Sequence, residues 1–145
     1  MSKRILVPMD GSEQSTDALE YVLDEYPGAS VTLLHVIDPI EAGYGGQASP
    51  VPGYSEEWYE ESEAAAEDLF AEARETVEAV GFDGTVDDVV ELGRPARVIV
   101  DYAEEEGFDH IVMGSHGRSG VTRVLLGSVA ETVVRRSPVP VTVVR

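Results

Sequence analysis

The chain has no cysteine, a single lysine and a single tryptophan, and only 10 basic residues against 28 acidic ones among 145. Lacking cysteine, it can form no disulfide framework, no thiolate metal site and no thiol nucleophile, and nothing in it points to an oxidising compartment. The one lysine, Lys3, lies far from any glycine-rich loop, so the phosphate-binding pattern GxxxxGK[ST] is absent, as is GxGxxG. Long apolar runs are missing too: none approaches the roughly 18 residues that a membrane span requires. Residues 1–8 include basic side chains, but their apolar part is too short for a signal peptide, so a cytoplasmic location is expected. At a formal charge of −18, DNA, RNA and anionic lipid surfaces are expected to be repelled.

What is present is a hydrophobic share of 43%, enough for a buried core, and a length suited to one domain spanning 1–145. The charge is uneven. Residues 1–93 hold 22 acids and 3 bases, whereas residues 94–145 hold 6 acids and 7 bases. The acid excess reads either as a solvated acidic face or as adaptation to a high-salt cytoplasm. In molar salt the Debye length shrinks to about 3 Å, which suppresses repulsion between carboxylates. The halophilic reading is the expectation here, and it implies loss of fold in dilute buffer.

Ile5-Leu6-Val7, closed by Pro8, reads as a buried strand over 3–8. Ala18, Leu19, Val22, Leu23 and Tyr26 recur at helical spacing, with Ser12 or Asp10 as the cap and Pro27-Gly28 as the stop. A second buried strand is expected over 31–37, rich in branched residues. Residues 38–54, broken by three prolines and four glycines, are expected to be an irregular, functional or mobile loop. A long acidic helix follows over 55–80, its apolar stripe made of Trp58, Ala65, Leu69, Ala73, Val77 and Val80, with Gly81 as C-cap. Residues 85–92 form a third strand, in which Asp87-Asp88 marks an exposed end or an edge. Gly93-Arg94-Pro95 opens a helix that buries Val98, Ile99, Tyr102 and Ala103. A fourth strand covers 110–113, a last helix turns Val129, Ala130, Val133 and Val134 inward, and 139–144 form the final strand.

This alternation, with crossovers long enough for parallel pairing, predicts an α/β three-layer sandwich around a five-stranded parallel sheet. Right-handed crossovers make the flavodoxin-like, Rossmann-like order 3-2-1-4-5 the natural one. Ligands in such sheets bind beyond the carboxyl ends of the strands where the order reverses, here between strands one and four. Pro8-Met9-Asp10-Gly11-Ser12 and Gly114-Ser115-His116-Gly117 are therefore expected side by side.

The second of these segments continues through Arg118, Ser119 and Gly120 to Gly127-Ser128, where the last helix begins. Glycines let backbone amides close around an anion, and a helix start supplies unpaired N–H groups and the positive end of the helix dipole. Ser128 adds a hydroxyl at the same place. The features describe a pocket for a di- or triphosphate, unless the glycines only turn the chain and Ser128 only caps the helix.

Gly114-x2-Gly117-x9-Gly127-Ser128 has the spacing of the ATP-binding signature of the universal stress protein family, a pattern that a shuffled chain of this kind carries roughly 1–2% of the time. The resemblance runs from end to end. It includes Ile5-Leu6-Val7-Pro8-Met9-Asp10-Gly11-Ser12, Leu34-His35-Val36-Ile37, Gly93-Arg94-Pro95-Ala96 and Pro138-Val139-Pro140-Val141, with only 38–54 free of pattern. The resemblance implies that Asp10 contacts the nucleoside, that the backbone of Val36 reads the adenine edge, and that Met113 and Gly114 wall the ribose. It implies Gly117, Gly127, Ser128 and Val129 as phosphate ligands, with Mg2+ or Mn2+ held mainly by the phosphates. Pro8 and Met9 stand where the family often has a small or hydroxyl residue, which puts contacts by Met9 in doubt. Arg118 and Arg123 flank the loop as charge-assisted donors to phosphate or as solvated surface residues.

Hydrolysis needs an oriented water and a proton acceptor. His116 lies in the loop within reach of phosphate, though ordering the backbone or standing exposed is its blander role. His35 reads as a satisfied core histidine, and His110 has no partner at metal-ligand spacing. Tyr44, Tyr54, Trp58 and Tyr59 either lid a nucleotide or pack on the long helix. The expectation is an ATP-binding, nucleotide-regulated stress-response protein with slow or no hydrolysis. Its alternatives are a true ATPase or phosphotransferase using His116 or Asp10, and a nucleotide-free interaction protein. The apolar last strand at a sheet edge invites pairing with another chain. The family's corresponding strand implies a homodimer, here through Val139, Val141 and Val143.

Overall fold

The computed structural model describes residues 2–41, 55–116 and 126–145. Strands and helices alternate along them: β1 (Arg4–Pro8), α1 (Glu13–Glu25), β2 (Ser30–Ile37), α2 (Glu56–Val80), β3 (Thr85–Leu92), α3 (Pro95–Glu105), β4 (His110–Gly114), α4 (Ser128–Arg136) and β5 (Val141–Val144). The five strands form one parallel sheet in the order β3-β2-β1-β4-β5, the order expected from the crossovers. Because strand side chains alternate between faces, each inner strand feeds two cores. Ile5, Val7, Val31, Leu33 and Val112 meet α1 and α2, while Leu6, Leu34, Ile111 and Met113 meet α3 and α4. No described helix is long and apolar enough to cross a membrane.

Local chemistry sets the helix ends. Of the two candidate caps for α1, Ser12 is the one that acts: its hydroxyl accepts from the Ser15 N–H at 3.1 Å. Asp10 instead shapes the turn before it, accepting the Ser12 N–H at 2.9 Å. Ser55 caps α2 in the same manner, and Gly81, at φ 67°, closes it in a left-handed conformation. Pro95 sits in the first turn of α3, where no N–H is required.

The buried face of α2 keeps Leu69, Ala73 and Val77 of the expected stripe but takes Ala66 and Phe70 in place of Ala65 and Val80. Ala66, Phe70 and Ala73 are buried, Leu69 and Val77 pack beside them, Ala65 faces outward and Val80 is 55% exposed. Phe70, the largest side chain able to fill the gap, fixes the helix rotation. On α4 only Ala130 and Val133 are buried, and Val134 is 47% exposed. The last strand starts at Val141, not Val139. The Ser137 hydroxyl donates to Val139 O at 2.7 Å and accepts the Val139 N–H at 3.1 Å, which folds the chain into a local turn before the strand begins.

One close approach fixes the site's geometry. A Cβ at Gly114 would lie 2.7 Å from Cβ of Gln14 and 2.8 and 2.9 Å from its backbone carbon and oxygen. Gly114 therefore lets the end of β4 press against the first turn of α1.

Candidate functional site

β1 and β2 pair as far as Pro8 and Leu34, and the Met9 N–H adds a last rung to Leu34 O at 2.8 Å. β2 runs on to Ile37 while the chain after β1 turns away through Gly11, at φ 84°, into α1. Backbone groups alternate in direction along a parallel strand. Leu34 faces β1 and Ile37 bonds to Gly93 on the other side, so the N–H and C=O of Val36 face the space that β1 has left. On the far side of that space β4 ends at Gly114 and turns the opposite way through Ser115 and His116. Between them lies a cleft of about 620 Å³ at the carboxyl end of the sheet, where the strand order reverses.

Helix α4 points its N-terminus into this cleft. Gly127 is the N-cap and accepts the first intrahelical bond, from the Glu131 N–H at 2.9 Å. The N–H groups of Ser128, Val129 and Ala130 precede that bond, no side chain among the described residues caps them, and all three residues line the cleft. Ser128 is thus the first helical residue and not the cap, which is Gly127. Ser115 ties the two sides together: its N–H donates to Val144 O and its C=O accepts the Gly127 N–H, each at 2.8 Å.

Pro8, Asp10, Val36, Met113, Gly114, His116, Gly127, Ser128 and Val129 all line this one cleft. Gly117 and Arg118, like Arg123, Tyr44 and Tyr54, lie outside the described residues. His116 does not stand exposed. Only 7% of it is accessible, its Nδ1 lies 2.9 Å from the Ser115 hydroxyl, and its buried Nε2 has no partner among the described residues. His35 is satisfied, with Nδ1 at 2.8 Å from Met9 O, but it is half-buried on the cleft wall and not in the core.

Sequence reasoning missed Asp38, Arg94 and Ser115. Asp38 accepts the N–H groups of Ile40 and Glu41 and stands 3.8 Å from Nε of Arg94 across the mouth of the cleft. Arg94 is the only arginine or lysine among the described cleft residues, against Asp10, Asp38 and Glu41. A signal was present: in this topology the residue that opens each helix lies at the carboxyl end of the sheet, so Arg94 belongs beside Ser12 and Gly127. Among the described residues no three His, Asp or Glu side chains gather to hold a metal ion. The two groups with displaced pKa values among the described residues lie elsewhere. Burial, then Glu106, raises Tyr102, while burial, then the charge of Lys3, lowers His110.

The model of the universal stress protein family matches residues 1–145. The chain belongs to that family. It is 36% identical to the universal stress protein MJ0577 of Methanocaldococcus jannaschii, over 100% of this chain and 96% of that one. The solved structure of MJ0577 superposes with a TM-score of 0.79 at 35% identity, covering 99% of this chain and 96% of that one. The stress response protein NhaX of Bacillus subtilis is 34% identical over 98% of this chain and 97% of its own. Two more distant structures share the fold. A universal stress protein in complex with cAMP has a TM-score of 0.70 at 23% identity, covering 99% of this chain and 97% of that one. The Archaeoglobus fulgidus protein in complex with dAMP has a TM-score of 0.66 at 21% identity, covering 100% and 98%.

Proposed function

We propose that the chain is a nucleotide-binding stress-response regulator that takes ATP in this cleft. The observation that carries the reading is the pairing of two backbone edges without a partner among the described residues: three uncapped amides of α4 at one end of the cleft and the Val36 peptide at the other. Uncapped helix amides suit phosphoryl oxygens. An N–H beside a C=O suits the acceptor and donor that adenine carries on adjacent ring positions. The volume is that of a small-molecule site. The complexes of family members with cAMP and dAMP support a nucleotide. Asp10, Met113 and Gly114 would flank the ribose, Gly117, Gly127, Ser128 and Val129 the phosphates, and Arg118 their outer end. Mg2+ or Mn2+ would travel with ATP, bound mainly by its phosphates. Hydrolysis is slow or absent, and occupancy of the cleft biases conformation or partner choice in a cytoplasmic, high-salt setting.

Calorimetry with ATP·Mg on the intact protein and on Gly127→Val tests the reading. The φ of −66° and ψ of 161° at Gly127 are open to any residue, so the valine keeps the cap conformation while filling the approach to the amides. Binding should weaken at least about tenfold with the fold intact by circular dichroism. An intact protein that binds no nucleotide returns the chain to a nucleotide-free interaction protein. Release of ADP faster than about 1 s⁻¹ makes it an enzyme.

The same proposal includes a homodimer through β5. Ile111 and Ser115 donate to Pro140 O and Val144 O, so the peptides of Val141 and Val143 face away from β4. Those two residues carry the ladder. Val139, its polar groups held by Ser137, contributes its side chain alone.

A further inference from the structure

The partner that His116 lacks has a definite sign. Ser115 is 2% exposed, and its hydroxyl has His116 Nδ1 as its only bonded neighbour among the described residues. Two arrangements of that bond exist. If Nδ1 carries the proton and donates to Oγ, the serine O–H is left buried without an acceptor and Nε2 is left without a donor. If the serine O–H donates to Nδ1, every group of the pair is satisfied except one, an Nε2–H. A buried unpaired polar group costs about 1–3 kcal/mol, so the arrangement with one orphan prevails over that with two.

We infer that Ser115 is a positioning residue which holds neutral His116 in its Nε2–H form, and that this N–H is a donor for a phosphoryl oxygen of the ligand. The inference rests on the nucleotide reading for the ligand but not for the tautomer. It extends that reading in two ways. Among the described residues, the groups that α4 and His116 leave without a partner here are donors: the three α4 amides and Nε2–H. The ligand there must be rich in acceptors, as a phosphate ester is. It also separates binding from phosphotransfer. A histidine that accepts a phosphoryl group at Nε2 needs a lone pair there, and in this form the ring's lone pair sits on Nδ1 and is engaged by Ser115. Atom Nε2 of His116 is then a ligand to phosphate and not its acceptor.

Two measurements on the full chain test this. The ¹⁵N shifts of the His116 ring, recorded without ligand at a pH where the ring is neutral, should show Nε2 protonated and Nδ1 bare, and Ser115→Ala should give a mixture. A wild-type ring protonated at Nδ1 overturns the inference. Calorimetry with AMP, and with inorganic phosphate, gives the second readout. His116→Gln keeps an N–H at the Nε2 position and should bind within about twofold of wild type, as should Ser115→Thr, which restores the hydroxyl. His116→Asn and Ser115→Ala should each weaken binding about tenfold. Equal affinity for the Gln and Asn variants, or undiminished affinity in Ser115→Ala, overturns the donor role. A wild-type protein that binds neither probe overturns the nucleotide reading and the donor role together, while the ring shifts still decide the tautomer.

Discussion

The two edges of the sheet are built on opposite plans. On β3 the outer edge is guarded at Val86. Arg74 reaches across from α2, its guanidinium donating to Val86 O at 3.3 Å and to the Asp88 carboxylate at 2.6 Å. Asp87, Asp88 and Glu91 make the remaining outer surface anionic. On β5 the sequence is Val141-Thr142-Val143-Val144, with no charge until Arg145 and with the peptides of Val141 and Val143 turned outward. Natural sheets block the edges that must stay single, with charge above all. One edge of this protein is blocked and the other is not, although the chain has 28 acids to spend on such blocking. The difference is a reason to place self-association at β5.

The comparison can be broken at its open end. Val143→Pro removes an N–H that faces away from β4, a place where an edge strand tolerates proline, so the β4 rungs survive. Sedimentation should then find a monomer at concentrations where the parent is a dimer. A parent that is monomeric at micromolar concentration defeats the proposed interface outright. The converse change opens the closed edge. Asp87→Val combined with Asp88→Val should give β3 the character of β5. Two open edges on one chain allow unending association, so species larger than a dimer should appear with rising concentration in light scattering. Continued dimers alone would mean that Arg74 guards the edge without help from the carboxylates.

The smallest effect concerns the link between β4 and β5. His110 Nε2 lies 2.8 Å from the Thr142 hydroxyl, and its pKa is lowered from 6.5 by burial and then by Lys3. A lowered histidine pKa means that the unfolded chain takes up the proton first as pH falls. Its contribution is complete above the unfolded value and is lost on descending through the lowered folded one. His110→Gln keeps a donor to Thr142 and removes the titration. As pH falls below about 6.5 it should lose less in Tm than the parent. Parallel melting curves for the two would show that the half-exposed ring is too well solvated to matter.

Much of this was legible in the sequence because the signals were local. Runs such as Ile5-Leu6-Val7 and Val31–Leu34 specify strands buried on both faces, and the alternation of elements leaves almost one sheet order. The meeting of Asp10 with Met113 and His116 follows from that order. Rotation about a helix axis was harder to see. Ala65 and Ala66 are equivalent by composition, and only Phe70 reaching the sheet decides between them. The place of Arg94 could be read from the topology, but burial of His116 and the partnering of Arg94 by Asp38 could not, because each depends on where two distant turns end, which no spacing along the chain encodes.

Gly114 carries a lesson for how the nucleotide signature is read. It is the signature's first position, yet what demands glycine there is Gln14, whose backbone stands where a side chain would go. A descendant that gave up its ligand would face the same obstruction and would still need that glycine, while the helix-opening position at Gly127 would be released. In sorting such chains, then, Gly114 testifies to the seating of a helix, and the weight of the diagnosis falls on Gly127.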